Sequence, residues 1–283
     1  LAFAETNTKI DSQTKEVLFY KDALWHGYQA ITEDNRLLTT PLFEELVQII
    51  TNNTEGVRKL PGTKLQNPQS KDIIYTPPEG EAIIRDKLTN LEKFIHSNKD
   101  LDPLIKMAVI HYQFEAIHPF SDGNGRVGRI LNILFLIQQG LLNLPILYLS
   151  RYIIGNKKDY YQGLQNVTSQ NAWEPWIIFI LRGITQTALQ TEQCIIKIQF
   201  LMQKTIKLIK AKLPRIYSKE LVEVIFRQPY CKIRFLEEEN IARRQTASLY
   251  LKELERIGIL KGVKIGKEIY YIHEDLYKIL ISI

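Results

Sequence analysis

The twelve residues HPFSDGNGRVGR, from His118 to Arg129, hold one of the chain's five histidines, an aspartate, an asparagine, three glycines and two arginines. Apolar stretches flank them, LIKMAVIHYQFEAI before and ILNILFLIQQGLL after. A glycine-bearing loop that runs straight into an apolar helix presents unpaired backbone N–H groups and a partial positive charge. Gly123, Gly125 and Gly128 let a ligand come close to that backbone. Arg126 and Arg129, three apart on the first turns, are spaced to reach a single anion. Asp122 stands where a carboxylate could hold Mg²⁺ against phosphate oxygens. His118, at the entry to the loop, is a base suited to neutral pH. Base, metal ligand, anion cradle and arginines together describe phosphoryl or nucleotidyl transfer.

Other phosphate chemistries fit less well. GNGRVG at 123–128 matches G-x-G-x-x-G in letters, but that dinucleotide fingerprint follows a strand, and here a helical pattern with His-Pro-Phe precedes it. A protein-kinase reading lacks DFG and the V-A-I-K lysine, and no G-x-x-x-x-G-K-[ST] loop occurs. A plain surface connection would leave this combination of residues without an explanation.

The elements that must position these residues are mostly helical. Apolar spacing predicts helices over KEVLFYKDALWHGYQAI after Ser12, and over PLFEELVQIIT. The stretch from Asn52 to Ala82 is rich in Gly, Pro and Asn, with Ile73–Tyr75 as a short strand closed by Pro77-Pro78. Helices resume over IIRDKLTNLEKFIH and from Asp102, where Pro103 suits a first turn. That helix should end at His118, because the residue before a proline disfavours helical geometry. The next should start inside GNGR and reach Gln139, followed by KDYYQGLQNVT and a long helix from WEPW to Lys212. Past Pro214, two helical segments and a hairpin around Gly266 predict a winged helix-turn-helix. The expected division is 1–60, 61–212 and 213–283.

With 45% hydrophobic and 24% charged residues, the 283-residue chain has the balance of a soluble globular protein. The apolar run Ile130–Leu149 is broken by polar residues and Pro145, which argues against a membrane span. LAFAETNTKI has no basic start and no long apolar core, so it does not read as a signal peptide, and the leading Leu suggests sequence upstream. Cys194 and Cys231 form no framework, which suits a reducing, cytoplasmic setting. The net charge of +6 is uneven. From Gln203 onward 17 Lys and Arg face 10 Asp and Glu, a balance of +7, while the first 202 residues hold 20 and 21. Any argument for DNA from charge therefore concerns the C-terminal part, with Arg243, Arg244 and Lys252 on a recognition helix and Lys261, Lys264 and Lys267 on a wing. Packing on the core or a dimer contact is the alternative use of that module, and the run Glu237–Glu239 sits poorly on a DNA-facing surface.

The segment resembles the Fic family, whose motif H-x-F-x-(D/E)-G-N-G-R-x-x-R is met at His118, Phe120, Asp122, Gly123, Asn124, Gly125, Arg126 and Arg129. The similarity extends through GVRKLPGT, YTPPEG, IHYQFEAIHPF, LPILYLS and KDYYQGLQ. It implies a mainly α protein: a Fic helical core with a small β-hairpin flap, plus the C-terminal winged helix. It further implies transfer of AMP from ATP to a protein hydroxyl. On that resemblance His118 is the general base and Asp122 the Mg²⁺ ligand. Asn124 and the backbone of Gly123, Gly125, Val127 and Gly128 hold phosphates, and Arg126 and Arg129 take the β/γ end. Tyr160 and Tyr161 lie in the nucleotide pocket, and the strand at 73–75 is the flap that pairs with a target segment. Relatives that transfer a phosphate have an altered anion loop, so the intact GNGR favours AMP. Homodimers are common in such proteins, and self-modification is a further expectation.

Many relatives are restrained by a helix whose glutamate pairs with the motif's second arginine, here Arg129. Thr51–Gly56 fits the loose pattern (S/T)-x-x-x-E-(G/N) and nominates Glu55. The other expectation places the inhibitory helix upstream of Leu1. A DNA-binding regulator with a nucleotide-sensing or dormant core is the competing functional reading.

Overall fold

The computed structural model describes residues 12–66, 73–97 and 101–282. They form two compact units, with the division after Ala188. The first contains α1 (Ser12–Thr32), α2 (Thr40–Thr51), β1 (Leu65–Gln66), β2 (Ile73–Tyr75), α3 (Glu81–Ile95), α4 (Pro103–Ile117), α5 (Asn124–Gln138), α6 (Leu149–Gly155) and α7 (Lys157–Gln170). The 40-residue α8 (Trp173–Lys212) runs through the point of division. The second unit adds α9 (Lys219–Arg227), β3 (Tyr230–Cys231), α10 (Ile233–Glu238), α11 (Arg244–Arg256), β4 (Lys261–Ile265), β5 (Glu268–Ile272) and α12 (Glu274–Ile281).

α4 and α5 form the centre of the first unit and pack on each other, with α3 against α4 and with α1 and α2 against α5. Both are apolar on nearly every side, which buries them. α4 starts at Asp102, whose carboxylate accepts from the N–H groups of Leu104 and Ile105 at 2.8 and 3.4 Å. It stops at His118, which takes a left-handed conformation (φ 49°, ψ 59°) ahead of Pro119. α5 starts one short loop later at Gly123, also left-handed at φ 83°. That φ and the space both suit glycine, since an added methyl would stand 3.0 Å from Val47 Cγ2.

Trp176 of α8 locks the back of this pair. It is fully buried, its indole N–H donates to the Ala108 carbonyl at 2.9 Å, and its ring stacks on His111 at 6.0 Å between centroids. α7 approaches this indole closely at Gly163, where a methyl would lie 2.9 Å from Trp176 Cε3.

In the second unit, Leu221, Val222, Ile225, Leu236, Ala247, Leu251, Leu254 and Tyr271 share a core. Its hairpin pairs Lys261–Ile265 with Glu268–Ile272, and β3 adds on the far side of β5 for an order β3-β5-β4. α9, α11 and the hairpin fall as anticipated, whereas the short α10 and α12 and the two-residue β3 were not foreseen. Two residues are too short to show a strand period in sequence. Cys194 and Cys231 are both free and buried. Among the described residues, no helix is long and apolar enough to cross a membrane.

Candidate active site

His118, Asp122 and the glycine-rich start of α5 meet in the loop between two buried helices. GNGRVG follows α4, so the reading against a strand-based dinucleotide site holds. The loop is closed from inside by Asn124, a buried residue. Its Oδ1 accepts from the Phe120 N–H at 2.9 Å and its Nδ2 donates to the Phe120 carbonyl at 2.7 Å. The resemblance put Asn124 among the phosphate-holding residues. Its two hydrogen bonds leave one Nδ2 hydrogen uncommitted.

The two arginines play different parts. Arg126 reaches back to Asp122, Nη2 to Oδ2 at 3.0 Å, beside an aspartate side chain that is 77% exposed. Arg129 folds over the loop: its Nη1 lies 3.1 Å from where a Gly125 methyl would be, and its Nε is buried without a hydrogen bond. A donor left unpaired at a helix start is one that an anion would satisfy.

Burial brings the His118 imidazole down to about 4, with the Arg58 charge adding to the effect and Asp122 opposing it. His118 is therefore neutral near pH 7, the state in which it can accept a proton. Its Nδ1 is buried and faces the Glu115 backbone.

Glu115 escaped the sequence reading. Three residues before His118 on α4, it aims Oε1 at the start of α5, 2.6 Å from a Gly128 methyl position and 3.9 Å from that of Gly125. Burial raises this carboxyl to about 7, against the pull of Arg129. A lone acid in the apolar run YQFEAI was the available signal. Gly128→Ala would drive its methyl into Glu115 and, at 3.2 Å, Phe114. Such overpacking is expected to cost about 1–3 kcal/mol, partly offset by ~1 kcal/mol of helix propensity. Urea denaturation would show it, and an unchanged midpoint would refute it.

Tyr160 and Tyr161 part company. Tyr160 is 5% exposed, shares a 2.9 Å hydrogen bond with His111 Nε2 and packs on Trp176. It is a core residue, and only Tyr161, 54% exposed, is open to a ligand. His111 is fully buried, and that burial, reinforced by Arg129, brings it down to about 3. Glu55 is not on a helix, since α2 ends at Thr51. It is exposed, its N–H bonds Asn53 Oδ1 at 3.0 Å, and no ion pair joins it to Arg129 among the described residues. Among described residues no group of three or more His, Cys, Asp or Glu could hold a metal by itself. Of the basic residues read for DNA, Arg243, Arg244, Lys252, Lys264 and Lys267 are exposed, while Lys261 is paired with Glu274 at 2.8 Å.

Residues 37–136 match the Fic/DOC family, and residues 201–276 match the C-terminal domain of SoFic-like protein adenylyltransferases. The chain therefore carries a Fic/DOC domain followed by a SoFic-like C-terminal domain. The "Probable protein adenylyltransferase aq_aa38" of Aquifex aeolicus is 37% identical over 79 residues, covering 28% of this chain and 24% of that protein. "Protein adenylyltransferase Fic" of Nematostella vectensis is 25% identical over 193 residues, covering 66% and 42%. The chain thus spans less than half the length of these relatives. A Fic family protein from Desulfovibrio desulfuricans G20 shares the fold over 96% of this chain and 78% of that one, with TM-score 0.56 at 17% identity.

Proposed function

We propose that this protein transfers AMP from ATP to a Tyr, Ser or Thr hydroxyl of a target protein, its own tyrosines included. The observation that carries this reading is a neutral imidazole, His118, one short loop ahead of the glycine-rich start of α5. His118 takes the proton of the incoming hydroxyl, whose oxygen attacks the α-phosphorus as the bond to the α–β bridging oxygen breaks and pyrophosphate leaves. The N–H groups at the start of α5 and the guanidinium of Arg129 receive the phosphate charge, with Arg126 at the mouth of the loop. One exposed carboxylate, Asp122, suits Mg²⁺, which draws its other ligands from phosphates and water. Asp122 would hold that ion, whose chemistry is neutralisation of the departing phosphates. In a two-stranded sheet β2 leaves an edge that an extended target segment could join.

The test is ATP labelled at the α- or the γ-phosphate, with Mg²⁺, on the chain alone and with lysate proteins. Protein-bound α-label without γ-label is the expected result. Transfer of γ-label would make the reaction phosphorylation, and bound nucleotide with no transfer would favour the sensor or regulator reading. The rate also has a pH signature. The base must be unprotonated, and its lowered pKa keeps it so to lower pH. The acid limb of kcat is therefore expected near the His118 value of about 4, where a free imidazole would place it at about 6.5.

A further inference from the structure

Arg58 lies outside the motif, on the segment between α2 and β1, yet it is only 4% exposed and touches the base loop and the flap segment together. Its backbone N–H donates to the Pro119 carbonyl at 2.9 Å and its Nε to the His118 carbonyl at 2.8 Å. Its Nη2 donates to the carbonyl of Pro78, between β2 and α3. A second tether runs parallel to it, from the Tyr75 hydroxyl of β2 to the Ala116 carbonyl of α4 at 2.9 Å.

We propose that Arg58 is a positioning residue for the reaction: it holds His118 in its left-handed conformation and ties the flap strand to the base. The inference rests on the AMP-transfer reading for its catalytic consequence, though not for its geometry.

Two observations point away from a purely structural role. The Arg58 Nη1 is buried without a hydrogen bond, an arrangement that folding alone disfavours. A histidine with φ 49° occupies a sparsely populated region that its surroundings must impose, and the bond to its own carbonyl is such an imposition. A residue that grips the carbonyls of His118, Pro119 and Pro78 sets the distance between the attacking hydroxyl's docking edge and the group that deprotonates it. The Arg58 charge also acts on His118 alongside that of Asp122, the other charge this imidazole feels.

Arg58→Met removes fork and charge, and Arg58→Lys keeps the charge without the fork. Lys59→Ala, on an exposed neighbour, is the control. Both Arg58 variants are expected to lower kcat by about 10²-fold, the effect of a displaced catalytic group, with KM for ATP within about twofold because the start of α5 is untouched. NMR titration of His118, which needs no turnover, should show its midpoint rising above about 4 in Arg58→Met but not in Arg58→Lys, and staying below the free imidazole value because burial, the larger cause, remains. Wild-type kcat in Arg58→Lys, or an unmoved His118 titration in Arg58→Met, would overturn the inference. A loss of kcat matched by an equal rise in KM and a lower folded fraction would do so as well. An inactive wild-type chain would instead sink the AMP-transfer reading and leave the titration to decide on Arg58. Should both Arg58 variants fail to fold, Tyr75→Phe removes the parallel tether alone. A several-fold fall in kcat at constant KM for ATP supports the coupling, and an unchanged kcat refutes it.

Discussion

His118→Ala is expected to lower α-label transfer by about 10²–10⁴-fold, the usual contribution of a positioned base, while ATP binding stays near wild type. His118 caps the end of α4, is neutral at working pH and has a buried Nδ1 facing the Glu115 backbone. Removing the ring takes away a proton acceptor and leaves the loop's own support in place. Asn124 still closes on Phe120, and Arg58 still has backbone carbonyls to hold. The binding surface at the start of α5 is likewise unchanged, so the effect should fall on kcat and spare the ATP dissociation constant. Single-turnover transfer combined with equilibrium nucleotide binding separates the two. Transfer by His118→Ala at the wild-type rate would remove His118 from the chemistry, and an equal loss of nucleotide affinity would recast it as a binding residue.

Trp176→Ala carries the largest expected effect on stability, about 3–5 kcal/mol. The indole is fully buried and bonded to the Ala108 carbonyl, and it packs on His111, Tyr112, Tyr160 and Phe179. Because α7 already approaches it at Gly163, a truncated side chain leaves a void among rings with few ways to close. The same void would loosen α4, whose far end positions His118, so a fall in transfer should accompany the fall in stability. Urea denaturation measures the first, and a loss below about 1 kcal/mol would mean that the site collapses easily around alanine. His111 adds a direction with pH. Its folded-state value of about 3 lies below that of a free imidazole, so the unfolded chain binds a proton first as pH falls. This residue therefore withdraws stability as the medium is acidified from about 6.5 downward.

Much of the site was legible because its logic is local. Where α4 must stop, where α5 must start and why glycine stands at 123 follow from His118-Pro119, the apolar periodicity and the backbone freedom needed at a tight turn. The long helix, the terminal hairpin and the polar loop between two apolar helices are readable for the same reason, since period and punctuation belong to neighbouring residues. β3 was not, because two residues carry no period and the strand exists only through its pairing with β5.

Side-chain direction lay beyond the sequence. Tyr160 and Tyr161 are adjacent and alike, yet the helix turns one into the core against His111 and Trp176 and the other outward. Asn124 closes the loop on the Phe120 backbone, and Glu55, which fitted a helical pattern, stands in a loop. Arg58 and Glu115 gave no spacing signal. Arg58 meets His118 across 60 positions of chain, and Glu115 meets Gly128 only because α4 and α5 pack face to face. The sequence by itself determined the polar, glycine-rich stretch from His118 to Arg129 and the helix end and helix start that frame it. Only the tertiary structure decided which distant groups hold and charge that stretch, because such contacts depend on packing between elements and leave no period in the chain.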